Sequence, residues 1–274
     1  MQDFDVNHLF FYDPFALDGT AFAINRVVLL MWVASLLCVA FFMVGARRKS
    51  MIPRGIQNLA ETAYLFVRNN IAIDVIGSKD GPKYANYLAS LFFFIFFSNL
   101  LEIVPGVNFP VTSRMAIPAA LAVLTWIIFN VVGIMKQGAY RYFKDVLFPP
   151  GVPKAVYVLL TPIELFSTFI VRPFTLAVRL FANMVAGHTL LTIFFLFTND
   201  FLRENLGPAA PIGVLTLVIS CVLILFELLV ISLQAYIFTM LTASYIAEAT
   251  HGHGEPESEE ATHEVRHETE GIAA

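Results

Sequence analysis

Long apolar runs alternate with short polar segments along this chain, and the runs come in two lengths. Residues 27–46 form an uncharged stretch of 20 residues, about what a helix needs to cross a roughly 30 Å hydrocarbon layer. Residues 84–104, closed by Pro105 and Gly106, and residues 115–135 have a similar length. The two later runs, 163–198 and 212–247, each extend over 36 residues, or roughly 54 Å as helix. An upright span has no room for them, because an unbroken helix would need a tilt of about 55°, beyond the usual range of roughly 0–40°. They must recline strongly or bend, and Pro173 is a candidate bend site in the first. The short connection 199–211 makes them an antiparallel hairpin. Residues 52–76 follow another pattern, with Ile56, Leu59, Ala63, Phe66 and Val67 at helical spacing between Arg54, Glu61, Arg68 and Asp74, which predicts a helix lying in the membrane interface. The expected fold is an all-α integral membrane protein with five transmembrane helices and one interfacial amphipathic helix, the last two spans forming a long, strongly tilted hairpin. Residues 1–26 precede this membrane domain and residues 248–274 follow it. No internal repeat suggests an inverted-repeat transporter.

Composition agrees with this division. Hydrophobic residues make up 58% of the chain and charged residues only 14%, which excludes an ordinary water-soluble domain. The net charge of −4 misleads, since eight of the 21 acidic residues lie from Glu248 onward. Seven basic residues fall between Arg47 and Lys83 and four between Lys136 and Lys154, whereas the opposite connections hold Arg26, Arg114 and Arg203. Because Lys and Arg concentrate in cytoplasmic loops, the N terminus is expected outside and the C terminus in the cytoplasm. The first 26 residues carry Asp3, Asp5, Asp13 and Asp18 instead of a basic leader, so the first run is expected to stay as a span. The tail mixes His251, His253, His263 and His267 with glutamates at no ligand spacing, and reads as disordered and solvated, with no metal site. Cys38 and Cys221 both lie inside apolar runs, which supports neither a disulfide framework nor a thiolate metal site. No Gly-rich phosphate loop is present, so no cofactor and no catalytic nucleotide site are expected, and no nucleic-acid partner.

The charges inside the long runs change the picture most. Glu164, Arg172, Arg179 and His188 interrupt the first, and Glu227 and Gln234 the second. An ionisable group at mid-span costs about 3 kcal/mol on insertion scales, so it faces a protein partner or a water-filled cavity. Arg172 and Glu164 are near enough to the cytoplasmic end for their heads to reach the surface. Arg179 lies mid-segment and keeps its charge at any relevant pH. At about 100° per residue, Arg172 and Asn183 share its helix face and His188 falls about 180° away. Glu227 and Gln234, seven apart, share a face of the second helix, with Glu248 roughly extending the line. Antiparallel packing then puts His188 and Glu227 at similar depth, either as a proton relay or as a static buried ion pair. An arginine with no acid one turn away calls for a partner on another chain, which suits a subunit better than a self-contained channel.

The segment Arg172-Pro173-Phe174-Thr175-Leu176-Ala177-Val178-Arg179-Leu180-Phe181-Ala182-Asn183-Met184-Val185-Ala186-Gly187-His188, preceded by Ile163-Glu164-Leu165-Phe166, resembles the hallmark stretch of subunit a of the F-type ATP synthase. Leu233-Gln234-Ala235-Tyr236-Ile237-Phe238, followed by Leu241-Thr242, is similar to that family's second hallmark. The resemblance covers roughly residues 84–248. It implies a proton-translocating stator in a bacterial cell membrane, lying against a rotor ring of c subunits, held by b-type peripheral stalk subunits and working with the other ATP synthase subunits. Carried over, Arg179 faces the ring carboxylate, Asn183 lies beside it and Gln234 packs near it. His188 and Glu227 line the outer half-channel, with Glu and His exchanged relative to many bacterial members. Glu164 is similar to the acid of the cytoplasmic half-channel, but stands one residue farther from Arg179 than the resemblance leads one to expect, an offset of about 100°. Arg172 corresponds to a basic position at the exit mouth. A secondary transporter and a purely structural membrane protein are the rival readings. The first would show repeated halves, and the second would tolerate replacement of Arg179.

Overall fold

The computed structural model describes residues 26–46, 55–104, 107, 109–148, 153, 156–204 and 210–251. Residues 1–25 of the expected outer segment 1–26, and residues 252–274 of the expected tail 248–274, lie outside the described residues. Every regular element among the described residues is helical. Helix α1 is Arg26–Ala46. Helix α2 covers residues 56–76 as an α-helical part Ile56–Val67, a π-helical stretch Arg68–Ile73 and a final turn Asp74–Ile76. Helix α3 is Gly81–Leu100, α4 is Ala116–Gln137 and α5 is Ala139–Leu147. Helix α6 covers residues 157–204: Tyr157–Phe166, a π-helical stretch Ser167–Val171, the long part Arg172–Asn199 and a last π-helical turn Asp200–Glu204. Helix α7, Ala210–His251, is 42 residues long, about 63 Å.

Four of these are long and apolar enough to cross a membrane: Arg26–Gly45, Ala116–Gln137, Tyr157–Leu202 and Pro211–Thr250. The expected span at residues 84–104 is the exception, because α3 mixes its apolar positions with Lys83, Asn86, Ser90, Ser98 and Asn99. One side of it packs against its neighbours. Phe93 meets Phe42 of α1 edge-on with ring centroids 4.9 Å apart, and Tyr87 and Thr125 of α4 share a hydrogen bond of 3.3 Å. Edge-to-face aromatic pairs of this kind add to plain burial. Around α3, buried Val67, Ile71, Leu88, Phe129 and Ile246 join α2, α3, α4 and α7 into one core.

The amphipathic helix α5 was not expected from the sequence. It is only nine residues long and its charged Arg141, Lys144 and Asp145 read as part of a connecting loop, and the chain enters it by a sharp turn at Gly138. There φ is 81°, a left-handed conformation that a side chain would strain. Just before Pro173, the candidate bend site, the helix carries the π-helical stretch Ser167–Val171. Proline has no N–H to donate to the carbonyl four residues back, and its ring crowds that carbonyl, so the preceding turn widens. Both hairpin helices are longer than the expected runs, and Glu248 belongs to the last turns of α7, not to the tail.

Candidate functional site in the long hairpin

Helices α6 and α7 run antiparallel with polar contacts along their length. Thr198 donates to Thr216 near the loop, Asn183 donates to Gln234 at 2.7 Å midway, and Arg172 meets Glu248 at the open end. Each step back along α6 is matched by a step forward along α7, which fixes the depth of every functional side chain.

At the middle, Thr175, Arg179, Ala182, Asn183, Ala186 and Leu190 form one exposed stripe of α6 with a spacing of three or four residues. Arg179 makes no hydrogen bond or ion pair with any described residue. Beside it, Asn183 orders the amide of Gln234, which is 1% exposed and whose Nε2 has no acceptor among the described residues. The expectation that His188 faces away from Arg179 agrees with this arrangement, since His188 is 6% exposed.

Toward the loop end, His188 sits in a buried polar cluster that includes a residue the sequence reading passed over. Its Nδ1 lies 3.4 Å from Oε1 of Glu102, which is itself 4% exposed. That is an ion-pair contact slightly too long for a hydrogen bond, and both carboxylate oxygens of Glu102 lack a hydrogen-bond partner. The ring of Phe109 stands edge-on to the imidazole. Nearby Thr112 donates to the side-chain oxygen of Asn99. Glu227, also 4% exposed, packs on α6 one residue before the histidine: a Cβ on Gly187 would overlap both of its carboxylate oxygens. The expected depth match of His188 and Glu227 is therefore present, and Gly187 makes room for it. Glu102 is an ion-pair partner of the histidine. An acid two residues inside the expected span 84–104 was the available signal, since an acid in an apolar run needs a reason.

Toward the open end, the Arg172 guanidinium binds Glu248 through two parallel bonds of 2.7 and 2.8 Å and lies over the Tyr245 ring, 5.1 Å from its centroid. Glu164, half-exposed one turn before the π-helical stretch, acts on Arg172 electrostatically. Here the structure alters the expected offset of this acid. An i→i+5 turn holds one residue more than an α turn, so the stretch Ser167–Val171 absorbs the additional residue and turns Glu164 back by about 100°, to within about 20° of the Arg172 face.

Between the two clusters the helix interface is apolar. Leu91 and Ile95 of α3, Leu176 and Leu180 of α6, and Ala235 and Phe238 of α7 close together there. The hydroxyls of Thr239 and Thr242 at this level are occupied by carbonyls of their own helix. Polar groups at the two ends are thus separated within the chain, and Arg179 is exposed on the flank of the separating layer.

Residues 28–247 match the family profile described as ATP synthase A chain. The protein of Frankia alni named ATP synthase subunit a is 48% identical over 252 residues, covering 92% of this chain and 86% of that protein. Proteins of the same name from Rhodococcus erythropolis and Streptomyces lividans are 43% and 38% identical, covering 88% and 90% of this chain and 88% and 87% of their own lengths. With the family profile spanning most of the chain and the relatives matching nearly end to end, this chain belongs to the ATP synthase subunit a family.

Proposed function

We propose that the chain is the stator half of a proton turbine in a bacterial cell membrane, with Arg179 facing a carboxylate on a rotating ring of c subunits. The observation that carries this reading is the division of the hairpin into two polar clusters parted by an apolar layer, with an exposed arginine on its flank. A proton cannot cross the layer within the chain, so the route from one cluster to the other must pass over a second object at the Arg179 face. The small side chains of Ala182 and Ala186 in that stripe let another helix approach closely. The same reading makes five crossings, with α3 as the second, α2 in the interface, the N terminus outside and the C terminus in the cytoplasm. Peripheral stalk subunits of b type hold the stator against the torque.

In this mechanism the loop-end cluster is the outer half-channel and the open end the cytoplasmic one. A proton arriving from outside passes Glu102, His188 and Glu227 and neutralises a ring carboxylate, which can then rotate into lipid without the cost of a buried charge. After nearly a full turn the site reaches the cytoplasmic cluster. There the fixed charge of Arg179 favours the ionised carboxylate and the proton leaves. The same cation repels a proton that would pass straight between half-channels. Asn183 and Gln234 hold the polar surroundings of the guanidinium in one geometry.

ATP-driven acidification and passive proton leak, measured in inverted membrane vesicles with assembly checked on the same preparation, test this. Arg179→Ala is expected to assemble, to lose coupled pumping and to leak. Arg179→Lys is expected to lose pumping as well, because a compact ammonium can shed its proton when desolvated. Pumping at the wild-type rate by assembled Arg179→Ala complexes would refute the reading.

A further inference from the structure

We infer that Glu248 is a further residue of the proton path, a positioning residue whose carboxylate neutralises Arg172 and keeps the cytoplasmic mouth passable to protons. This rests on the assignment above of the open end as the cytoplasmic half-channel. Arg172 lies seven residues from Arg179 on the same helix, about 10 Å away along the axis. A proton released near Arg179 must therefore go past it. A bare guanidinium there would be a second fixed cation in a poorly screened passage and would oppose both release and uptake.

The structure answers that problem with geometry. Both donor nitrogens of Arg172 that face α7 are taken by Glu248, at 2.7 and 2.8 Å, and Tyr245 one turn earlier holds the guanidinium plane against the helix. Glu164 acts on it from its own helix. The pair borders a crevice shared with Thr168 of α6, Gln137 of α4, and Tyr142 and Asp145 of α5. Two buried atoms in this group, Thr168 Oγ1 and Gln137 Oε1, have no hydrogen-bond partner among the described residues. Atoms of that kind take water, which gives the Arg172–Glu248 pair a polar, hydratable border. A clasp needed only to join two helix ends would have no use for such a lining.

The test is the dependence of ATP-driven pumping on the pH of the cytoplasmic face, which inverted vesicles present to the medium. Glu248→Gln is expected to slow pumping several-fold at neutral pH and to move the profile to lower pH by on the order of one unit, the effect of one uncompensated neighbouring charge. Removing both charges, Arg172→Gln with Glu248→Gln, is expected to bring the profile back toward wild type, although the clasp is then gone. A double variant at least as impaired as the single, or an unshifted profile in assembled Glu248→Gln, would overturn the inference. Should Glu248→Gln alone fail to assemble, Glu248→Asp, which keeps the charge, and the double variant are compared. Charge compensation expects both profiles near wild type, and a shift in the double variant would overturn it. Arg179→Ala in the same vesicles separates the two readings: pumping there overturns the rotary assignment itself, whereas its loss beside an unshifted Glu248→Gln overturns only the role of Glu248.

Discussion

Single residues carry the clearest consequences. Gly187 is the only α6 residue type that admits Glu227 at its present depth, because any Cβ would meet both carboxylate oxygens. Gly187→Ala should destabilise the hairpin by about 1–3 kcal/mol, the usual range for overpacking. Shortening the partner in Gly187→Ala with Glu227→Asp should recover assembled complex, as read from thermal unfolding of the purified enzyme. The neighbour of His188 decides a second experiment. Exchanging the pair, His188→Glu with Glu227→His, sets a new carboxylate against Glu102, and two close carboxylates do not both ionise readily. Proton uptake from the outer side should be restored only in part by the exchange, and further when Glu102→Gln is added. Equal rates with and without Glu102→Gln would place Glu102 outside the path. On the opposite side of the molecule Asp80, ahead of α3, is bonded by Lys136 at 2.8 and 2.9 Å and by Lys83 at 2.6 Å. These ammonium groups, Lys136 first, lower its carboxyl from the ordinary 3.8 to about 2. A depressed folded-state value means stabilisation that is full above the unfolded value and is lost as pH falls through the folded one. The stability gap between wild type and Asp80→Asn should therefore be present at neutral pH and shrink between about pH 4 and pH 2, followed by thermal unfolding across that range.

At the scale of elements, the π-helical stretch Ser167–Val171 is the device that keeps Glu164 and Arg172 on one face. It holds one residue more than an α-helical turn, ahead of a proline that cannot complete the ladder. Deleting exposed Ile170 should let this turn close as ordinary α-helix with little rotation of what precedes it. The variant is expected to assemble and to pump in the vesicle assay. Deleting Ala177, in the α-helical part of the same helix, should turn Arg172 and Glu164 by about 100° relative to Arg179 and abolish pumping. If both deletions behave alike, the stretch is not a register device. Helix α3 teaches a related lesson. Its polar positions fall into two groups: Lys83, Asn86 and Ser90 are exposed, whereas Ser98 and Asn99 are buried, with Asn99 bonded by Thr112 and Tyr87 bonded to Thr125 of α4.

For the whole molecule, the asymmetric placement of Lys and Arg sets a testable orientation. Impermeant thiol reagents should reach Asp5→Cys from outside the cell and Glu259→Cys only from the cytoplasmic face. Access to Glu259→Cys from outside would remove the five-crossing arrangement. The long hairpin has a wide exposed apolar flank, including Phe174, Leu190, Leu225 and Leu229. Such a flank suits lipid or an apolar partner, and in the proposed mechanism the row of small residues near Arg179 belongs to the part that the ring approaches.

Some of this was decided by the residues alone, since the hydrophobic effect acts on composition and period before any contact forms. Run lengths, the amphipathic pattern of residues 56–76, the antiparallel hairpin and the presence of charges in its interior follow from that order. So does the opposition of Arg179 and His188, because the helix period settles it. What a linear reading could not decide was which groups from distant segments meet. Glu102 reaches His188 across 86 positions of the chain, and Glu248 reaches Arg172 across 76. The turn that returns Glu164 to its face depends on how backbone hydrogen bonds close ahead of Pro173. The apolar layer that separates the two clusters depends on α3 lying against α6 and α7. Each is a matter of packing between elements, where side-chain volume and helix register choose among arrangements that the periodicity of any one segment leaves equivalent.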